Sequence, residues 1–401
     1  MALLGVVLAA SAAHARPPAS AVSPRAVIAV IGERGLDPLH REFATRDGRD
    51  VRLPPAIADT AVRVDLPRAG SYDDRHAAML RGPLGNLTAN TLYYVRGTRL
   101  LIWTGTRTTG AVDKGDNEHG TGVASLAGGR TLGHAPDALI VMALDHFDLS
   151  WAWMAKQNWI DVGTSSAYDP LVGAAPVVCL GTAAVKAVRE SGRLPFLIAG
   201  NGYFDTTGAA IGQSPHVVRV GGTNEDGTSR LPGDGSNALS YSGRGYDIAE
   251  HYAFTIAAYG TPDGYVEAGG TSGSTPLVAS RAAGLIAYAR QLVGDRGTGA
   301  RQGALVVAPR GAKTPARGPL SDGRLTADEL LGAQLAAARP ARTEPTRFAV
   351  EGYGLFHDEA QALVERVLAG RAELPERTTD DTAYSAALLA RQGATAAKGC
   401  A

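Results

Sequence analysis

Short runs that are apolar throughout alternate with helix-type segments along most of the chain, and this alternation limits the fold more than any other feature. The pattern predicts strands at residues 26–31, 138–143, 195–199 and 216–220, and helices at residues 120–127, 183–191 and 274–293. Strands without a polar face are typical of a parallel sheet that is buried on both sides. We therefore predict an α/β fold in which helices flank a parallel β-sheet on both faces. Functional residues should gather at the carboxyl ends of its strands.

The balance of charges argues against partners that are recognised by charge alone. Lys plus Arg and Asp plus Glu both number 39, so the formal net charge at pH 7 is +0. Nucleic acid and anionic membrane surfaces are therefore not expected partners.

Glycine is frequent, with 50 residues, which favours tight turns and an active site built on loops.

The first residues form a short apolar run that ends in Ala13-His14-Ala15. This pattern is typical of a secretory signal, so we expect a signal peptide over residues 1–15, a short segment over 16–25 and a secreted mature protein. No later stretch is as long and as apolar as a spanning helix requires, and no membrane attachment is expected after processing.

Residues 45–116 depart from the alternation, because they read as polar loops around one hairpin at 91–95 and 99–103. We predict that this segment is an insertion in a single main domain that spans residues 26–370. Residues 326–338 and 358–369 have helical patterns, and residues 371–401 are expected to form a flexible C-terminal tail.

The strongest chemical signal is Gly270-Thr271-Ser272-Gly273-Ser274, where a strand and a tight turn lead into a helix of small residues. A serine at a helix N-terminus presents its hydroxyl beside free backbone N–H groups. These can stabilise the oxyanion that forms when the hydroxyl attacks a carbonyl carbon. Taken alone, such a serine is more often a simple helix cap. In its full motif, we predict that Ser272 is a nucleophile.

Two further segments supply a base and an amide. His119 stands at the head of a helix that begins Gly120-Thr121-Gly122, and a general base must lie within hydrogen-bond reach of the nucleophile. Asn201 lies between two glycines after an apolar strand, where its amide can donate to the same oxyanion. In isolation, Asn201 would be read as a turn residue.

Taken together, these segments resemble the subtilisin-like serine peptidases, whose triad runs Asp, His, Ser along the chain. Gly133-His134-Ala135-Pro136-Asp137 and Glu351-Gly352-Tyr353-Gly354 are also similar to segments of this family. The resemblance covers about residues 26–370. It implies a monomeric serine endopeptidase that hydrolyses polypeptides through an acyl-enzyme. Ser272 would be the nucleophile, His119 the base, and Asn201 the oxyanion donor.

The acid of the triad is the position where the sequence departs from the family. Counting back from His40 and Gly35 aligns Glu33 with the family's aspartate, whereas counting forward from the strand aligns Gly32 with it. We predict Glu33, because a glutamate can also accept the imidazole hydrogen bond and stabilise the imidazolium. Asp37 is a less favoured substitute. The alternative function is a pseudo-protease that binds other proteins, or a processing peptidase of narrow specificity.

Other features give weaker expectations. No folding prodomain is recognisable before residue 26, and residues 163–168 lack the family's usual substrate-strand ending, so the cleavage specificity cannot be read. Trp151, Trp153 and Trp159 are interpreted as core residues. Cys179 is interpreted as a buried strand residue, with no disulfide to Cys400. No cofactor is required; structural calcium is optional, and Asp113, Asp116 and Glu118 are better explained as a solvated loop than as its ligands.

Overall fold

The computed structural model describes residues 26–109, 112, 119–167, 175–201, 214, 216–223, 248–301, 303–308, 324–338 and 362–364, and a nine-stranded sheet lies at its centre. The strands of this sheet are β1 (Val27–Ile31), β2 (Val62–Val64), β3 (Leu92–Val95), β4 (Leu100–Trp103), β5 (Leu139–Ala143), β6 (Val162–Ser165), β7 (Leu194–Ile198), β8 (Val218–Thr223) and β9 (Ile248–His251). They lie in the order β2-β3-β4-β5-β1-β6-β7-β8-β9. All neighbouring strands are parallel except β3 and β4. The predicted α/β fold is confirmed.

The remaining elements cover the sheet or lie at its margins. The helices are α1 (Tyr72–Arg81), α2 (His119–Gly128), α3 (Phe147–Ala155), α4 (Ala175–Glu190), α5 (Thr271–Leu292) and α6 (Ala327–Ala337). Two antiparallel pairs complete the described part, β10 (Ala253–Ala257) with β11 (Tyr265–Gly269), and β12 (Ala304–Val307) with β13 (Arg324–Thr326). None of the described helices combines the length and the apolar character that a membrane crossing demands.

Each face of the sheet packs into its own hydrophobic core, and β1 shows the division clearly. Ile28 and Val30 join the core that contains the inward sides of α2, α5 and α6. Val27, Ala29 and Ile31 join the core that contains residues of α3 and α4. Because successive strand residues point to opposite faces, an uninterrupted apolar run is what a sheet covered on both sides requires.

The segment predicted to be an insertion contributes to the main sheet. The hairpin is confirmed as the antiparallel pair of β3 and β4, and β4 pairs in parallel with β5. β2 pairs in turn with β3, so residues 45–116 extend one side of the sheet by three strands. Helix α1 belongs to the same segment. The boundaries proposed for the domain stay a prediction.

The prediction for the region around Cys179 was wrong. Helix α4 begins at Ala175, before the predicted start at residue 183, so Cys179 lies in a helix and not in a strand. A short apolar run does not by itself distinguish a buried strand from the first turns of a buried helix. Of the helix predicted at 358–369, only residues 362–364 are described, and they are helical. Residues 1–25, 351–354 and 371–401 lie outside the described part.

Candidate active site

Three adjacent parallel strands end at one edge of the sheet, and two predicted site residues and one serine that was not predicted follow them. Glu33 comes just after β1, Ser166 directly after β6, and Asn201 shortly after β7, which are neighbours in the order β1-β6-β7. The carboxyl ends of parallel strands meet at the same edge. The fold therefore brings these three side chains, distant in sequence, to one side of the molecule.

Helix α5 presents Ser272 as its second residue, partly exposed between the buried Thr271 and Gly273. Gly270 caps the helix with φ 125°, a left-handed conformation that side chains rarely adopt. This conformation turns the chain sharply from β11 into α5. The hydroxyl of Ser272 is thus held at the start of a long helix, beside N–H groups that no helical carbonyl can reach.

The carbonyl of Ser272 is held by an unusual arrangement. Pro276 lies inside α5, and a proline has no N–H to donate to the carbonyl four residues earlier, which here is that of Ser272. The hydroxyl of Ser166 donates to this carbonyl instead, at 2.7 Å. Ser166 was missed by the sequence interpretation. Pro276, four residues after Ser272, was the signal that the carbonyl needs an outside donor.

His119 is the first residue of α2, and its Nδ1 lies 2.8 Å from Oε2 of Glu33. The helix start is fixed against the loop after β1, because Gly120 N donates to the carbonyl of Arg34 at 2.8 Å. A Cβ atom on residue 120 would lie 2.1 Å from that same carbonyl oxygen. Glycine is therefore needed at position 120 to bring His119 close to Glu33.

The structure distinguishes among the three positions considered for the acid. Gly32 continues the sheet by donating to the carbonyl of Ala143 at 2.8 Å, and its φ of 77° forms the turn that precedes Glu33. The carboxylate of Asp37 accepts from the hydroxyl of Tyr72, from Leu39 N at 3.0 Å and from Gly260 N at 3.2 Å. Of the three, Glu33 is the one whose carboxylate bonds the imidazole of His119.

The environment of His119 suits a base. Burial lowers the pKa of His119, but the negative charge of Glu33 and the hydrogen bond to it raise the pKa by more, so it lies above its usual value. Glu33 itself is only 2% exposed, and its Oε1 has no hydrogen-bond partner among the described residues. A carboxylate that accepts from Nδ1 leaves the lone pair on Nε2, which is the atom that can take a proton.

One strand covers the beginnings of both helices. A Cβ atom on Gly122 would lie 2.7 Å from Cδ1 of Ile256, and one on Gly273 would lie 1.7 Å from the ring of Phe254. Phe254 and Ile256 are two residues apart in β10, so they lie on the same face of that strand. Helices α2 and α5 also pack against each other. His119 and Ser272 therefore begin two helices whose first turns lie under the same short strand.

Asn201 is anchored to the turn that precedes Ser272. Its Oδ1 accepts from the backbone N and from the hydroxyl of Thr271, both at 2.9 Å. Fixing the amide oxygen orients the whole amide group and leaves Nδ2 as the donor. Nδ2 lies 3.2 Å from the point where a Cβ atom on Gly270 would stand. The donor thus sits directly against the turn that carries Ser272.

Two remaining predictions concern residues around the site. Trp151 and Trp159 are buried, and Trp153 stacks on Trp103 with ring centroids 4.5 Å apart, so the interpretation of the tryptophans as core residues is confirmed.

Within the part of the chain that the structure describes, no cluster of three or more His, Cys, Asp or Glu side chains could hold a metal ion. Residues 113–118, which include Asp113, Asp116 and Glu118, lie outside it.

Comparison with known proteins gives one family match. Residues 101–300 match the model of the subtilase family, a stretch that includes His119, Asn201 and Ser272 but not Glu33. Among curated proteins, no sequence is significantly similar to the chain.

Solved structures of other proteins are similar at low identity. The prenylagaramide maturation protease PagA is 17% identical with a TM-score of 0.46, over 87% of this chain and 96% of that one. The patellamide maturation protease PatG is 16% identical with a TM-score of 0.48, over 88% and 93%. A cold adapted subtilisin-like serine proteinase is 18% identical with a TM-score of 0.46, over 84% and 90%.

Proposed function

The chain belongs to the subtilase family of serine peptidases through residues 101–300, and from this premise we propose that it is an endopeptidase that cleaves polypeptides through an acyl-enzyme on Ser272. The proposed triad is Glu33, His119 and Ser272. It departs from the family in using a glutamate as its acid. The proposed chemistry needs only side chains and backbone amides of the chain itself.

The reaction follows from the arrangement of these groups. The hydroxyl of Ser272 attacks the carbonyl carbon of the peptide bond while Nε2 of His119 takes its proton, and the imidazolium is stabilised by Glu33. The negative charge that develops on the carbonyl oxygen is bound by Nδ2 of Asn201 and the N–H of Ser272. The imidazolium then protonates the leaving amine. Water hydrolyses the acyl-enzyme in the second half of the reaction, in which His119 takes a proton from the water and returns one to Ser272.

The hydrogen bond of 2.8 Å between Glu33 and His119 is the observation that supports this proposal best. A subtilisin-like domain that no longer acts as an enzyme has no need to keep a buried carboxylate on the histidine. The turn at Gly32, with a φ of 77°, lies between β1 and Glu33, and the glutamate side chain from this position reaches Nδ1 of His119.

We further propose that the protein acts outside the cell, because its first fifteen residues have the pattern of a secretory signal that ends at Ala15. Expression in a secreting host, followed by N-terminal sequencing of the protein in the medium, tests this. A mature chain that begins at Arg16 is expected. Retention of the intact chain inside the cells would contradict the proposal.

Labelling with a fluorophosphonate, which reacts with activated serines, tests the catalytic proposal. The wild-type protein should be labelled, Ser272→Ala and His119→Ala should not be, and Glu33→Gln should be labelled far more slowly. Asp37→Asn is the matched control, since this carboxylate is buried nearby but bonds Tyr72 and backbone amides. The variant should be labelled at the wild-type rate per folded molecule, with the folded fraction measured by circular dichroism. A folded wild type that is not labelled would leave a peptide-binding pseudo-protease.

A further inference from the structure

Two arginines lie on the same edge of the sheet as the catalytic residues, and neither takes part in the proposed triad. Arg34 directly follows Glu33 and is exposed, and Arg107 lies in the loop that follows β4. Strands β4, β5 and β1 are neighbours and run parallel, so the loops after them meet at their carboxyl ends. The two arginines therefore come from the loops on either side of the carboxyl end of β5.

The backbone of Arg34 is fixed close to the catalytic histidine. Its carbonyl accepts from Gly120 N at 2.8 Å, and Gly120 is the residue next to His119. Its N-terminal neighbour, Glu33, bonds the imidazole of that histidine. The exposed side chain of Arg34 therefore begins next to Glu33 in the chain and beside Gly120, the neighbour of His119, in space. It can reach a substrate that lies over them.

The loop of Arg107 is held equally firmly. Thr106 donates through its backbone N and its hydroxyl to the two carboxylate oxygens of Asp145, both at 2.8 Å, and Asp145 follows the end of β5. The backbone N of Arg107 donates to the carbonyl of Thr104 at 2.9 Å. The guanidinium of Arg107 is therefore carried by a rigid loop.

Among the described residues, no carboxylate lies within salt-bridge distance of either guanidinium group. Within the described residues, neither Arg34 nor Arg107 forms a salt bridge or a side-chain hydrogen bond, and Nε of Arg107 is buried without a partner. Burial lowers the pKa of Arg107 below its usual value, the nearby charge of Arg34 lowers it further, and the charge of Asp145 raises it. The oxygens of Asp145 are already bonded to Thr106 and to His146 N.

A partly buried cation beside a second cation is unfavourable unless an anion is bound between or near them. We propose that Arg34 and Arg107 form a subsite that binds an acidic side chain of the polypeptide substrate, close to the bond that is cleaved. Guanidinium groups suit this role, because they bind a carboxylate through two parallel hydrogen bonds. This inference rests on the proposed function, since it assigns a preference to the same cleft.

Binding to the inactive variant Ser272→Ala tests the subsite without requiring catalysis. The ligands are fluorescent peptides that carry a single Glu at successive positions, each paired with the same peptide carrying Gln. At one or two neighbouring positions the Glu peptide should bind about tenfold more tightly than its Gln partner, as measured by anisotropy. The preference should decrease as ionic strength is raised.

The arginine variants decide which residues carry the preference. Arg34→Gln and Arg107→Gln, each added to Ser272→Ala, should bring the ratio of Glu to Gln affinity close to one and leave Gln binding unchanged. Arg34→Glu should reverse the preference in favour of a Lys peptide at the same position. Arg296→Gln is the matched control, because this exposed arginine lies beyond the other end of α5 from Ser272, and it should keep the wild-type ratio.

The outcomes separate the two proposals. If the fluorophosphonate labels Ser272 but Glu and Gln peptides bind equally at every position, the subsite is wrong and the proposed function stands. If Glu peptides bind better in a way that depends on the arginines while Ser272 stays unlabelled, the subsite stands as a binding site and the endopeptidase proposal is wrong. A preference that survives both Gln variants assigns the acidic selectivity to other residues and overturns the inference.

Discussion

An ion pair lies near each end of helix α5, and the two pairs differ in how their carboxylates are hydrogen-bonded. The first turn of α5 holds Ser272 and lies under the same strand as the first turn of α2, where His119 is partly exposed and bonds Glu33, one of whose oxygens has no partner among the described residues. Near the last turn of α5, Arg290 is 0% exposed and bonds both oxygens of Asp161, at 2.8 and 2.7 Å. In each region a carboxylate next to a sheet strand bonds a side chain of a helix, but among the described residues both carboxylate oxygens accept hydrogen bonds only in the second region.

The pair of Arg290 and Asp161 shows how this fold holds a buried ion pair. Arg290 also donates to the carbonyls of Gly299 and Leu305, and Asp161 also accepts from Val27 N at 2.9 Å. A buried charge is tolerated when it is paired and hydrogen-bonded in this way. In the proposed catalytic pair, by contrast, Oε1 of Glu33 accepts no hydrogen bond from the described residues. We therefore expect changes at the first region to affect turnover and changes at the second to affect stability.

The largest effect is expected for Ser272→Ala. Loss of the nucleophile should reduce kcat by about 10⁶-fold, because the groups of a serine triad act as a unit. The free energy of unfolding should change by less than about 0.5 kcal/mol, since the hydroxyl is partly exposed. Peptide hydrolysis and urea denaturation measure the two quantities. A large loss of stability would mean that this end of α5 is structural as well.

Glu33→Gln should have the next largest effect, a decrease in kcat of about 10⁴-fold. The charge of Glu33 raises the pKa of His119, so its removal should lower that pKa. Because the base must be neutral, activity is lost on the acid side as pH falls through the pKa of His119. The acidic limb of the kcat/KM profile should therefore move to lower pH. Glu190→Gln, on the surface of α4, is the control and should leave the limb unmoved.

Arg290→Met tests the other end of the helix. It leaves Asp161 buried without its cation, which should lower the free energy of unfolding by about 3–5 kcal/mol. Adding Asp161→Asn removes the uncompensated charge and should recover part of this loss. Labelling of Ser272 per folded molecule should stay at the wild-type rate in both variants. A reduced rate in a folded variant would show that the two regions are coupled.

The smallest effect is expected for Ser166→Ala. The carbonyl of Ser272 would lose the donor that replaces the missing N–H of Pro276, and we expect kcat to fall about tenfold as the loop shifts. Ser191→Ala is the matched control, because Ser191 also donates to a backbone carbonyl, that of Val188 at 2.6 Å, but on the end of α4. It should affect stability alone. Equal turnover in Ser166→Ala and wild type would contradict the positioning role.

The sequence was sufficient wherever a local pattern determines the structure. The apolar runs located β1, β5, β7 and β8, and the glycine-rich motifs located the starts of α2 and α5. Counting from His40 pointed to Glu33, which bonds His119 in the structure, whereas counting from the strand pointed to Gly32. The two counts differ by one residue, and Gly32, which lies between β1 and Glu33, has a φ of 77°.

What could not be predicted depends on contacts between distant segments. The bond from Ser166 to the carbonyl of Ser272 joins positions 106 residues apart, and that between Asp37 and Tyr72 depends on where α1 docks. The pairing of β4 with β5 likewise turned an apparent appendage into part of the sheet. Hydrophobic periodicity describes one segment at a time, so it does not reveal which segments become neighbours.

The contact between Gly273 and the ring of Phe254 restricts how this protein can evolve. Any side chain at position 273 would overlap the ring, with a Cβ atom 1.7 Å from its nearest carbon, whereas a smaller residue at 254 alone would uncover the first turn of α5. The ring of Phe254 must move aside for any side chain at position 273, whereas a smaller residue at 254 makes room for one. A change at position 273 is therefore expected to follow a change at position 254 or to occur together with it, so this contact sets the order in which the two sites can vary.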